Sequence, residues 1–205
     1  MKRAFDIVCS AAGLLVLLPF LALIAVAIKL DSPGPVFFRQ ERVGKDGVPF
    51  RIHKLRSMRV SQADKARQIT VGDDARITRV GRLIRQWKLD ELVQLIDVLQ
   101  GKMSLVGPRP EVPKYVALYP EPLRALVLSV RPGITDPASI YFRDESTILG
   151  RAADPEAAYR DVILPKKLQL QAEYVRGQSF SGDLRIIFHT LAAVLHGSGQ
   201  RESQP

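Results

Sequence analysis

The sequence predicts an α+β protein: a compact, mainly helical domain with one short β-hairpin, preceded by an apolar helix suited to a membrane. Three observations carry that reading. From Ile7 to Leu30 the chain is almost wholly apolar, and as a helix such a run reaches roughly 36 Å, enough to cross a hydrocarbon core. Two short stretches rich in β-branched and aromatic residues then flank the turn-like Gly44-Lys45-Asp46-Gly47. Most of the chain beyond Leu55 has helical spacing, with one apolar and one basic face.

A chain of 205 residues is long enough to bury a core as one ordinary domain. Lys and Arg number 30 against 21 Asp and Glu, a formal charge of +9. That excess suits an anionic partner such as lipid headgroups, a nucleotide diphosphate or nucleic acid, although a basic soluble surface accounts for it equally well. The single Cys9 excludes an intramolecular disulfide framework and a cysteine-based zinc site.

The apolar run admits four readings. A cleaved signal peptide is suggested by Lys2, Arg3 and the small-x-small Ala25-Val26-Ala27, but the run exceeds the usual h-region. A buried soluble helix lacks the polar face it would turn to water. A straight span must accommodate Pro19, which removes a helical hydrogen bond and favours a kink there. Basic residues lie on both flanks, Lys2 and Arg3 before and Lys29, Arg39, Arg42 and Lys45 after, so the positive-inside rule indicates no direction. A broken helix that enters and leaves by one leaflet satisfies both flanks, and from the residues alone span and re-entrant hairpin both stand.

Asp31-Ser32-Pro33-Gly34-Pro35 ends the helix. Val36 to Phe38 and Val48 to Leu55 read as the hairpin strands, which carry Arg39, Arg42, Arg51, Lys54 and Arg56. Ser61 to Thr70 reads as a loop or short helix. Asp73 and Asp74 supply N-caps for a helix from Ala75 to Gln86. Its apolar stripe is Ile77, Val80, Leu83, Ile84 and Trp87, and its basic face Arg76, Arg79, Arg82 and Arg85. A second helix starts near Asp90, turns Leu92, Leu95, Ile96 and Leu99 inward, and stops at Gly101. Met103 to Val106 is a short apolar run. Helices are predicted over Lys114 to Val130, Pro155 to Tyr174 and Leu184 to His196, and the chain closes on a polar tail.

No phosphate loop, dinucleotide-binding glycine pattern or nucleophile elbow occurs, nor a D-x-D triplet. His53 stands alone, and His189 and His196 lack a third ligand. The informative stretch is Arg85 to Pro110, RQWKLDELVQLIDVLQGKMSLVGPRP. Asp90 and Glu91 fall at a helix start, where free N–H groups and the dipole favour negative charge. Such acids are commonly just caps. The same physics, with Arg85 and Lys88 upstream, would keep a carboxylate ionised as a nucleophile or Mg²⁺ ligand. In Gly107-Pro108-Arg109-Pro110, two prolines hold Arg109 extended and able to present its guanidinium to phosphate.

LDEL, then GKMSLVGPRP, then RPGIT from Arg131 to Thr135 together resemble the bacterial sugar transferase family, the monotopic phosphoglycosyl transferases. VFFRQERVGKDGVPFRIHKLRSM and the proline-broken apolar helix resemble it too, so the likeness covers nearly the whole chain in the family's order. The resemblance implies transfer of a sugar-1-phosphate from a UDP-sugar to polyprenyl (undecaprenyl) phosphate, with release of UMP, as the first membrane step of a surface glycan or glycoconjugate pathway. It implies Asp90 as the nucleophile and a Mg²⁺ ligand, Glu91 as its dyad partner, and Mg²⁺ as cofactor. Arg85, Arg109, Lys54 and Arg56 are the expected phosphate contacts. It also implies that the N-terminal helix is a re-entrant helix-break-helix at Pro19, although Leu18 stands where relatives often have Ser. The expected organisation is a membrane element over 1–30, a catalytic domain over 31–197 at the cytoplasmic face of the bacterial inner membrane, and a polar tail over 198–205. Membrane lipid is an expected partner, nucleic acid is not, and a homodimer is left open. DPASIYFRDE departs from the small members of the family, which leaves the sugar open. The alternative reading is a membrane-anchored basic protein that binds nucleic acid or acidic lipid.

Overall fold

The computed structural model describes residues 1–59, 69, 71–72 and 74–195. The expectations placed on Asp73, His196, the tail and most of Ser61 to Thr70 lie outside the described residues.

The N-terminal element is one helix, α1 (Lys2–Asp31), which continues through Pro19 without an interruption, unlike the helix-break-helix expected there. Proline deletes one hydrogen bond of the ladder, and the bonds of neighbouring turns carry the helix past it. Both ends of α1 are fastened to the rest of the protein. At its start Lys2 Nζ donates to Val106 O (3.0 Å) and Asp183 Oδ2 (2.6 Å). Asp6, buried, accepts from Ser104 Oγ (2.8 Å) and the Leu105 N–H (3.3 Å). At its end Asp31 Oδ2 accepts from the Val80 N–H at 3.0 Å. Between these anchors Leu21, Ile24 and Ile28 pack on Leu55, Ile84 and Val93, while Leu15, Val16, Leu18, Leu23 and Val26 remain exposed.

The hairpin is longer than predicted. Strands β1 (Phe37–Val43) and β2 (Pro49–Leu55) pair antiparallel, with Phe38 opposite Lys54 and Arg39 opposite His53. Helix α2 (Arg79–Gln86) starts four residues later than the expected Ala75. Asp74 instead binds the Arg76 N–H (3.0 Å) and its guanidinium, residues 75 and 76 form a turn, and Ile77 makes an isolated β-bridge with Met58. Thr78 then caps α2 by accepting from the Gly81 N–H at 3.0 Å. Gly81 admits the chain just after β2 against the helix, because a Cβ there would meet Ser57 O at 1.9 Å.

A 3-10 segment, Leu89–Gln94, leads into α3 (Leu95–Leu99). Its tighter winding shifts the inner face from the predicted set to Val93, Leu95 and Val98, and leaves Leu99 exposed. The predicted stripe of α2 is likewise split: Ile84 is buried, Leu83 and Trp87 are exposed.

Strands β3 (Ser104–Val106) and β4 (Gly133–Thr135) form a parallel pair that the sequence reading did not foresee. They meet where Gly107 and Gly133 cross, and a Cβ on Gly133 would lie 2.1 Å from Gly107 N. The helix expected over Lys114 to Val130 is two helices, α4 (Pro113–Val116) and α5 (Glu121–Leu128), with Pro120 extended between them at ψ 135. After β4 come α6 (Pro137–Tyr141), α7 (Glu145–Gly150) and α8 (Pro155–Ala158), a π-helical turn at Tyr159–Ile163, α9 (Leu164–Arg176) and α10 (Phe180–Leu195). The wide turn precedes Pro165, whose ring would clash with the carbonyl four residues back in a regular helix. Helices α4, α5 and α9 enclose a core that includes Tyr115, Val127, Tyr159 and Leu168.

Candidate active site

The chain reverses sharply after α2. Lys88 adopts the left-handed conformation at φ 54, a placement that costs a non-glycine residue about 1 kcal/mol. The reversal turns Asp90 inward, where it is only 5% exposed. Glu91 faces two cations from separate elements. Lys54 of β2 donates to Glu91 Oε1 at 2.8 Å, and Arg109, from the loop after β3, donates through NH1 to Oε2 at 2.9 Å and through NH2 to Oε1. Burial pushes the Glu91 carboxyl up, but the charges and hydrogen bonds of Arg109 and Lys54 outweigh it and hold it well below the usual carboxylate range. The Glu91 charge in turn raises Arg109 further.

Asp90 is treated differently. Lys54 Nζ stands 3.7 Å from Asp90 Oδ2, and among the described residues no hydrogen bond reaches the Asp90 carboxylate. One acid of the dyad is saturated with hydrogen bonds, while the other has only the Lys54 charge at 3.7 Å.

The family model described as bacterial sugar transferase matches residues 1–197. The chain belongs to the bacterial sugar transferase family. The chain is 40% identical over 194 residues to the UDP-glucose:undecaprenyl-phosphate glucose-1-phosphate transferase of Escherichia coli (strain K12), across 93% of the chain and 39% of that protein. It is 44% identical over 197 residues to the undecaprenyl-phosphate glucose phosphotransferase of Komagataeibacter xylinus, across 93% of the chain and 35% of that protein. It is 39% identical over 203 residues to the exopolysaccharide production protein PSS of Rhizobium leguminosarum bv. phaseoli, across 95% of each. The chain thus spans under half the length of the first two relatives and nearly all of the third.

Of the residues that the sequence singled out, the fold brings Lys54, Asp90, Glu91 and Arg109 into one cluster. Arg56 points elsewhere. It is buried, and its guanidinium donates to the carbonyls of Ile28 (3.2 Å), Ser32 (2.6 Å) and Pro33 (2.8 Å). Arg56 thus lies outside the cluster, with its two terminal nitrogens bonded to the chain that leaves α1. Arg85 is half-buried in the last turn of α2, and no hydrogen bond joins it to the dyad among the described residues. Its charge reaches Asp74, which is held low first by the hydrogen bond from Arg76.

Two residues that position the cluster escaped the sequence reading. Asp136, fully buried, accepts the Arg109 N–H (3.2 Å), caps α6 through the Ser139 N–H (2.7 Å) and accepts from Gln171 Nε2 (3.0 Å). An Asp just before a proline is a legible helix cap, but its hold on Arg109 is made only by folding. Asp97, also fully buried, accepts the His53 N–H (2.8 Å) and bonds its Nδ1 (2.7 Å). Arg39 can only donate to His53 Nε2 at 2.7 Å, so Nδ1 carries the proton toward Asp97. These bonds lock His53 on β2, beside Lys54.

Among the described residues no three metal-ligating side chains converge. The Asp90 carboxylate, which accepts no hydrogen bond among the described residues, nevertheless fits a magnesium ion, which binds through one or two carboxylates together with substrate phosphates and water.

Proposed function

We propose that the chain transfers a sugar-1-phosphate from a UDP-sugar to undecaprenyl phosphate and releases UMP, by way of a phospho-sugar carried on Asp90. The observation that carries this reading is the division of labour in the dyad: Asp90 is inward-facing and accepts no hydrogen bond among the described residues, while Glu91 holds both cations. An Asp90 oxygen attacks the sugar-linked phosphorus, and the bond from that phosphorus to the bridging oxygen breaks. UMP departs with the bridging oxygen. An oxygen of the acceptor phosphate then attacks the same phosphorus and frees the Asp90 carboxylate. Glu91, held ionised, keeps Lys54 and Arg109 aimed at the charge that develops on the transferring phosphoryl oxygens. Asp90 would hold a Mg²⁺ ion, which when bound would supply charge neutralisation for the diphosphate. Arg85 remains a proposed outer phosphate contact.

The membrane part of the reading rests on α1. Its two ends are bonded to the same domain, while much of its outer apolar face is exposed. A helix so fastened enters and leaves by one leaflet, with Pro19 near its middle. Residues 1–30 then form the membrane element and 31–197 the catalytic domain, at the cytoplasmic face of the inner membrane, where the acceptor phosphate lies. The names of the relatives support undecaprenyl phosphate as acceptor and an exopolysaccharide pathway. The nucleic-acid or acidic-lipid anchor is not favoured, because family membership accounts for the basic cluster.

The test is donor trapping. Purified protein incubated with Mg²⁺ and UDP-sugars labelled in the sugar, without acceptor, should acquire label that undecaprenyl phosphate discharges. Asp90→Ala should acquire none and release no UMP; normal turnover by that variant ends the proposal.

A further inference from the structure

A hollow of about 240 Å³ lies apart from the dyad, at the N-terminal root of α1. Its walls carry Lys2, Arg3, Lys45 and Arg131, with Asp6 the one acid among its lining residues. None of Lys54, Asp90, Glu91 or Arg109 lines it.

Neighbouring carboxylates cancel only part of this charge. Lys2 pairs with Asp183 at 2.6 Å. Both Asp6 oxygens are taken, by the Ser104 hydroxyl and the Leu105 N–H. Arg3 donates to the carbonyls of Val98 (2.8 Å) and Met103 (3.4 Å), and Arg131 Nε donates to Gly101 O at 2.9 Å. Among the described residues neither guanidinium has a carboxylate in ion-pair range. Lys45 has Asp46 at 3.9 Å, and both side chains are largely exposed, so that pair is worth little. Carbonyl bonds fix a guanidinium in place without neutralising it. The hollow therefore holds a pre-positioned positive surplus, the arrangement that binds an oxyanion without reorganisation.

Its place narrows the ligand. Directly after Asp6 the helix becomes apolar, with Ile7 and Val8 exposed, and Phe5 meets Phe180 of α10 edge-on at 5.3 Å. The hollow is thus a polar mouth at the border of an apolar surface.

We propose that this hollow is a second anion site, which takes a phosphate ester group. The same chemistry is offered by a phospholipid headgroup and by a free phosphate ester, and the test separates them. The full chain, Lys45→Glu and Lys45→Glu/Arg131→Gln are compared in two arms: co-flotation with phosphatidylglycerol against phosphatidylcholine vesicles, and equilibrium binding of glycerol 3-phosphate to detergent-solubilised protein. If the phosphate is a headgroup, the wild-type preference for phosphatidylglycerol falls about tenfold in the double variant, and glycerol 3-phosphate does not bind. If it is free, glycerol 3-phosphate binds the wild type and is lost from the variants. Lys45 lies on an exposed turn, so the single variant keeps the test interpretable should the double variant not fold. Equal behaviour of wild type and Lys45→Glu in both arms overturns the proposal, and UMP release by Asp90 is untouched by that result.

Discussion

Arg109 forks onto Glu91, with NH1 on Oε2 and NH2 on Oε1, and its main-chain N–H is held by Asp136. The guanidinium is thus fixed at both ends of its residue. Lys54 completes the clamp on Glu91 and leans 3.7 Å from Asp90. A fork of this kind has no lysine equivalent, because an ammonium cannot make the paired planar contacts.

Arg109→Lys is expected to lower kcat/KM for the donor by about tenfold to a hundredfold, the cost of one charged hydrogen bond and of lost orientation. UMP release at several donor concentrations measures it. A change under twofold would show that the fork does not matter.

Arg56→Ala should act on structure rather than on the donor. Its guanidinium ties the chain after α1 to β2, so its loss should speed proteolysis near residues 31–35. Donor KM in the surviving fraction should stay within about twofold. A large rise in KM would restore Arg56 to the phosphate site.

Asp97→Ala removes the acceptor of two His53 bonds. Leaving those donors buried should cost about 3 kcal/mol, read by chemical denaturation in detergent. Activity should fall as well, since Lys54 follows His53 on the same strand. Asp97→Asn, which keeps one acceptor, should be milder in both readouts.

Glu111 lies buried among Arg42, Lys167 and Tyr159. Burial pushes its carboxyl up, but the charges of Arg42 and Lys167 and the Tyr159 hydrogen bond win and depress it. A depressed acid contributes stability that is fully present above its unfolded value near 4.5 and is lost as pH falls through the lower folded value. The Tm gap between wild type and Glu111→Gln should therefore hold at neutral pH and close below about 4.5. A gap independent of pH would contradict the assignment.

Gly81→Ala should destabilise by about 1–3 kcal/mol, because backbone rather than a side chain stands in the way. The obstacle is Ser57 O, 1.9 Å from the added carbon. An unchanged Tm would mean that α2 can slide from β2 without cost.

By itself the sequence determined what is written in local spacing: the long apolar helix, the hairpin at Gly44 to Gly47, the helix that ends at Gln86, and the acids at Asp90 and Glu91 beside the GPRP loop. Those features follow from periodicity and turn chemistry, which act over a few residues. Tertiary structure alone decided the rest. It paired β3 with β4 where two glycines let backbones cross. It turned Arg56 away from the site while bringing Lys54 and Arg109 to it. Lys54 and Arg56 sit two apart on one chain, and the sequence marks both alike as cations. Which one meets the dyad depends on what packs beside each, and a buried guanidinium settles where several carbonyls already converge.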